Sequence, residues 1–344
     1  MRRNLHYLNS LLLPLMAFVA LSKGGWWGLF PWAVVFGVVA IIELFLPENT
    51  DNYHDKTEAL PAGILGAHLI AHGALLGYWG WLFSRGHYTW WEGLLSALAV
   101  GFNSGASGIV VAHEMLHRKG KWWQAGARFL LACAGNLYFY VTHIRMHHRY
   151  VGTELDYSSA RQGESLYAFL WRTIRGQFRW AWHSEKERLE KLGLSPWTLK
   201  NFMLQTGVGF VLLIAYLTLC GGLWGALAMI LQAGVAHFLL EYVNYIEHYG
   251  LARQIEEPIR PWHSWESNKY LSRFFLVDLT RHSDHHLHGA KSYHTLNALE
   301  QAPKLPTGYA GMLYLALIPP LWQRIMDAKL PAPIKIKAAP PSSS

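Results

Sequence analysis

Cysteine is nearly absent: Cys133 and Cys220 are the only 2 in 344 residues, which excludes a disulfide framework and any thiolate metal cluster. Charge is scarce too. Asp, Glu, Lys and Arg make up 15% of the chain against 52% hydrophobic residues, too apolar a balance for an ordinary soluble domain. Basic and aromatic residues are not interleaved as a nucleic-acid surface requires, so the net charge of +8 points away from nucleic acid and toward membrane topology. No internal repeat and no soluble second domain can be read. Residues 1–330 are expected to form one membrane domain, with a Pro- and Ser-rich tail at 331–344 expected to be disordered.

What the chain has instead is long apolar runs. A bilayer is crossed by about 20 such residues, and six runs qualify, at about 7–22, 26–46, 60–83, 91–112, 203–221 and 224–245. Trp26, Trp27, Trp79, Trp81, Trp90 and Trp91 crowd their ends, as headgroup anchors do. The expected fold is an all-α integral membrane protein with about six transmembrane helices. The first run, in "MRRNLHYLNSLLLPLMAFVALS", also has the basic start and small-residue finish of a signal peptide, but five more spans follow it. If the basic start lies in the cytoplasm, residues 113–202 and 246–310 return to that side. They carry "HRKGK" and "SEKERLEK" there, satisfying the positive-inside rule. The acidic loop near 48–58 gives that rule no support.

Histidine is the surplus residue, with 19 copies. Nine fall in four groups at or just past inner helix ends: His113 and His117 in "HEMLH", His143, His147 and His148 in "HIRMHH", His248 in "NYIEHYG", and His282, His285 and His286 in "RHSDHH". The last three stand at i, i+3 and i+4, and on a helix they are expected to aim at a common point. Separate solvation of nine imidazoles beside hydrocarbon would be costly, whereas a shared metal centre explains them. Nine nitrogens exceed what one first-row ion takes, so two metals are implied. Structural zinc closes with four ligands and catalytic zinc with three. Two irons with open positions for dioxygen fit a site facing an apolar interior. The pair His68 and His72 in "HLIAH", mid-span, has the same i, i+4 spacing and is expected to pack or line a pocket. His183, His263, His288 and His294 are left outside the ligand set. A metal-ion transporter with a histidine relay is the rival class. Transporter sites lie near the bilayer midplane, whereas these groups sit at inner helix ends.

The segments "HEMLHRKG", "HIRMHHRYVGTELDYSSAR", "NYIEHYGL" and "RHSDHHLHGAKSYH", with "LPTGYAGM" further on, resemble the histidine boxes of integral-membrane di-iron hydroxylases. The branch is that of alkane 1-monooxygenase and xylene monooxygenase, cousins of the membrane fatty-acid desaturases. The resemblance covers most of the chain. It implies two iron ions held by the nine histidines, O2-dependent hydroxylation of a terminal methyl group of a hydrocarbon, and a place in the bacterial inner membrane with the site facing the cytoplasm. It also implies electrons from rubredoxin and its NADH-dependent reductase. No CxxC pair is present to hold a rubredoxin iron, which puts the donor on another polypeptide. Arene-methyl hydroxylation of xylene or cymene and acyl desaturation are the alternatives within the enzyme class.

Where the family's second box commonly has an acid and a glycine, this chain has Thr142 and Met146, and Leu287, His288 and Gly289 follow the last box. All nine ligand positions are kept, so these departures bear on substrate choice.

Nine neutral ligands need nearby carboxylates to fix ring orientation. Glu114, Glu154, Asp156, Glu241, Glu247 and Asp284 are the candidates. Arg118, Lys119, Arg149, Arg161, Arg172 and Arg175 are candidates for steering an acidic donor. Stepping back four, seven and eleven residues from His113 along the fourth span gives Ile109, Ala106 and Phe102, the expected wall of a substrate channel. Ala106 lies in the small-residue stretch "NSGASG", which also suits close helix packing.

Overall fold

The computed structural model describes residues 4–52 and 57–331. Among these residues there is no β-strand, only two isolated bridges, Glu48 to Lys269 and Glu266 to Lys304. The expected tail lies outside them apart from Pro331.

Four apolar helices long enough to cross a bilayer come first: α1 (Asn4–Lys23), α2 (Gly25–Phe45), α3 (Ala59–Ser84) and α4 (Trp90–His117). Three helices that carry or support histidines follow, α5 (Lys121–Cys133), α6 (139–150) and α7 (Leu166–Glu190). The fifth apolar stretch, Phe202–His248, has 47 residues. Straight, it would span about 70 Å, more than twice the ~30 Å hydrocarbon core. It bends at Gly221 and Gly222, where Gly222 takes φ +59° and a side chain on Gly221 would meet Phe83 at 2.4 Å. The bend yields two arms, α8 (202–220) and α9 (223–248), each long enough by itself to cross a bilayer. Short helices α10 (Tyr270–Phe275), α11 (His282–Leu287), α12 (Tyr309–Ala316) and α13 (Pro319–Met326) complete the chain.

The short turns gather at one end of the bundle. Tyr88 donates to the Leu21 carbonyl at 2.8 Å, joining the α3–α4 loop to the first hairpin. Trp90 lies 5.5 Å from Trp224 beside the α8–α9 bend. The histidine segments occupy the other end, together with the acidic loop after α2. Arg281 donates to the Asn49 and Asp51 carbonyls, and Arg273 binds Asn49. That loop thus holds the polypeptide ahead of α11 through the two arginines and beyond it through Asn52, which pairs with the Ala298 backbone.

α4 is the axis of the bundle. Its first turn is closed by Thr89 and Glu92, whose carboxylate accepts from the Thr89 backbone N–H at 2.9 Å. Glycines let its neighbours approach: a Cβ on Gly101 would sit 2.6 Å from the Gln232 carbonyl, and one on Gly105 2.8 Å from Leu239 Cβ. Close packing in "NSGASG" belongs to Gly105, facing α9, and to Gly108, where a Cβ would sit 3.0 Å from His72 on α3.

Candidate metal centre

Four pieces of chain deliver the histidines. α4 ends in His113 and His117, one turn apart on one face. α6 carries His143, His147 and His148, and its turn from His143 to His147 is wound as a π-helix. In an α-helix His148 would stand about 140° from His143. The wider π turn, with i to i+5 bonding, brings the two onto a shared face. α9 ends in His248, and α11 supplies the rest.

The nine rings divide into two groups. His113, His117, His143, His148 and His285 form one; His147, His248, His282 and His286 form the other, with the ligand nitrogens of each group all within 4.8 Å of one another. The three α11 histidines thus do not converge on a common point, which corrects the expectation from spacing. His282 and His286 differ by about 40° around the helix while His285 falls about 60° to the other side, so α11 stands between the groups and serves both.

The contacts have the dimensions of a coordination shell. His117 and His148 Nε2 each lie 3.0 Å from His143 Nε2, and His113 and His148 Nε2 each lie 3.0 Å from His285 Nε2. In the second group His282 Nε2 is 3.1 Å from His248 Nε2 and 2.9 Å from His286 Nε2. Metal–nitrogen bonds of about 2.1 Å at right angles separate neighbouring nitrogens by about 3.0 Å. Hydrogen bonds alone cannot satisfy a chain of five nitrogens in which each neutral ring has one N–H to give. Among the described residues the buried Nε2 of His147 has no hydrogen-bond partner. An all-imidazole set of five and four, without thiolate, fits two borderline first-row ions, iron among them.

The six carboxylate candidates behave differently. Asp156 accepts from His147 Nδ1 at 2.9 Å and from the Ser159 hydroxyl at 2.7 Å, which orients that ring. Burial pushes the Asp156 carboxyl up, but its contacts with His147, His248 and Ser159 together hold the group below its ordinary value. Glu247 comes closer than an orienting partner: its Oε2 lies 3.2 Å from His282 Nε2, the metal-facing nitrogen, while Tyr309 donates to its Oε1 at 2.6 Å. Tyr309 lies in "LPTGYAGM", but nothing in that stretch read as sequence announces its part.

The other four are corrections, because their partners are not metal-facing rings. Glu114 pairs with Arg118 at 3.0 Å, and Glu154 is exposed and pairs with Arg161. Glu241 is taken by Tyr138, Thr173, Gln177 and Asn244. Asp284 binds His288 and the backbone N–H of Asn297, pinning the loop after α11. In that loop Gly289 lies over the five-histidine group, where a Cβ would be 3.3 Å from His148 and 3.5 Å from His117.

The remaining histidines stay outside. His183 is exposed and pairs with Glu187, His263 lies near Glu257, and His288 is 61% exposed. Buried His294 lies 3.8 Å from Glu58. His68 bridges Ser10 at 2.7 Å and Ser107 at 2.8 Å, and His72 meets Asn103 at 3.0 Å.

An apolar cavity opens from the metal-facing rings into the bundle. Phe102, Ala106 and Ile109 line it along α4, and His113, His147, His282 and Glu247 close its inner end. From Phe102 to His113 the wall runs about 16 Å along the helix. Of the basic candidates, Arg118, Arg161 and Arg172 are paired with carboxylates and Arg175 stacks on Trp171. Exposed Lys119 and Arg149 stand beside His117 and His148, the two less buried rings of the first group.

These features together define a helical membrane protein with a two-part, all-histidine candidate metal centre at the floor of an apolar cavity. Residues 88–316 match the fatty acid desaturase family. The chain is 37% identical to alkane 1-monooxygenase 2 of Pseudomonas aeruginosa, over 92% of this chain and 90% of that protein. It is 34% identical to alkane 1-monooxygenase 2 of Alcanivorax borkumensis, over 93% and 88% of the two chains. It is also 31% identical to the hydroxylase component of xylene/toluene monooxygenase of Pseudomonas putida, over 65% and 61%. The chain belongs to the fatty acid desaturase family, in its alkane and xylene monooxygenase branch, and is a membrane monooxygenase.

Proposed function

We propose that this enzyme hydroxylates the terminal methyl group of alkanes, converting R–CH3, O2, two electrons and two protons into R–CH2OH and water. The observation that carries the reading is the meeting of nine imidazoles, in two adjoining groups, with a cavity whose α4 wall is apolar up to the rings. Two irons bound there would supply the dioxygen chemistry that an unactivated C–H bond demands. The five-histidine group would hold one and the four-histidine group the other.

The protein's own share is positioning. Phe102 stands at the far end of the α4 wall and Ala106 between it and the rings, so the chain lies lengthwise with its methyl at the metal end. Apolar walls keep water from the reacting carbon. Asp156 fixes the His147 ring, and Tyr309 holds the Glu247 carboxylate at the edge of the four-histidine group. Electrons come from a rubredoxin served by an NADH-dependent reductase. It approaches over Lys119, Arg149 and the Gly289 cover, where the first group lies nearest the surface. The basic loops support a cytoplasmic position for this face, in a bacterial inner membrane.

The test is a product assay with octane, hexadecane and p-xylene in turn, using rubredoxin and its reductase. The expected products are 1-octanol or 1-hexadecanol. Turnover of p-xylene alone would move the enzyme to the arene-methyl reading that the xylene/toluene relative supports.

A further inference from the structure

A second groove lies outside the bundle, sharing no residue with the cavity above the histidines. Its walls include Phe178 and Trp182 of α7, Trp197 of the following loop, and Met203, Val208 and Leu212 of α8. Every lining side chain is apolar or an indole. From Met203 to Leu212 the groove follows α8 for about 14 Å, close to half of the ~30 Å hydrocarbon core and therefore the depth of one leaflet.

Its mouth is cationic. The Phe202 ring, next to Met203, has three guanidinium carbons around it: Arg188 at 4.7 Å and Arg128 and Arg145 each at 5.9 Å. Buried Glu185 binds Arg145 at 2.9 Å and Arg188 at 2.8 Å and also accepts from the Phe202 N–H at 2.8 Å. One carboxylate is thus set against three arginines. Among the described residues Arg128 hydrogen-bonds the neutral Tyr140 hydroxyl, at 3.2 Å, and no carboxylate, and exposed Lys200 adds charge nearby. Trp182 and Trp197 meet at 4.9 Å with tilted rings beside the mouth, where indoles sit at headgroup level.

We propose that this groove binds one anionic glycerophospholipid of the leaflet on the histidine side, with an acyl chain along α8 and its headgroup among Arg128, Lys200 and the Phe202 arginines. A second copy of the chain is the poorer occupant, because a two-fold contact would bring two cationic mouths together. The lipid would hold α7 to the membrane surface. α7 in turn supports the second histidine segment through Glu185 to Arg145 and Gln177 to Thr142. The inference is independent of which hydrocarbon is oxidised.

The experiment is native mass spectrometry of the delipidated, metal-loaded protein titrated with phosphatidylglycerol and, separately, phosphatidylcholine. Wild type is expected to keep one phosphatidylglycerol at least threefold more readily than phosphatidylcholine. Arg128→Gln with Lys200→Gln should erase the preference at unchanged metal content, and Val208→Trp should remove the adduct with both lipids. Equal retention of the two lipids by wild type, an undiminished preference in the double variant, or a dimer in place of the adduct would overturn the proposal. If Val208→Trp does not fold, the charge variant decides alone.

Discussion

His113 and His117 on α4 and His68 and His72 on α3 have the same spacing, lie on membrane-crossing helices and are largely shielded from water. Their fates are opposite. The α4 pair turns its Nε2 atoms onto histidines from α6 and α11 at 3.0 Å. The α3 pair meets short neutral donors and acceptors, Ser10, Ser107 and Asn103, which satisfy its rings one at a time. An i, i+4 pair is therefore half a statement. What completes it is whether the facing helices offer more imidazole or something that ends the chain of contacts. Position along the span matters as well, because only a helix end can be met by loops that carry further ligands.

The largest effect that would sharpen this comparison is at His248, the single ligand from α9. His248→Ala should leave the protein folded in the membrane, lower the metal content from two to about one per chain and abolish oxygenation. Two retained metals with full activity would remove His248 from the centre. Next comes Asp156, the carboxylate that orients His147. Asp156→Ala is expected to cost about 10–100-fold in metal affinity or activity, read by chelator competition for the metal of the four-histidine group. Unchanged competition would reduce Asp156 to a loop anchor.

A smaller change is expected at Ala106 on the cavity wall. Ala106→Phe should shorten the longest alkane accepted while metal content and folded yield hold. Lower yield with an unaltered product ratio would instead assign the residue to packing. The smallest effect belongs to the mid-membrane pair. His72→Ala should keep both metals and activity and lose about 1 kcal/mol of stability for the broken polar contact, measured as a shift in thermal unfolding. Loss of metal in that variant would erase the distinction between the two pairs.

Six crossings could be read from apolar run length alone, because hydrocarbon thickness is a one-dimensional constraint that the chain must meet locally. The bend at Gly221 and Gly222 was legible on the same ground. The nine imidazoles were legible from their position at helix ends beside hydrocarbon, where solvating them separately is expensive. Phe102, Ala106 and Ile109 line the cavity along α4, but the π-helical winding from Ser104 to Ile109, which departs from the plain α period used to choose them, was not legible.

How the nine are shared was not legible. His148 joins His143 rather than His147 because of a π turn, and whether a helix takes that turn depends on what packs against it, not on "HIRMHH". His285 points to the other side of α11 from His286, but that a separate histidine group waits on each side depends on distant segments. The carboxylates divide for the same reason: Asp156 reaches a ring, Glu241 is claimed by four other partners, and Glu154 faces water. Composition and spacing decided which chemistry the chain can hold, because they act through distances along one helix or across one bilayer. Partner choice among side chains far apart in sequence was left to the tertiary structure, because an acid binds whichever donor the packing brings within about 3 Å.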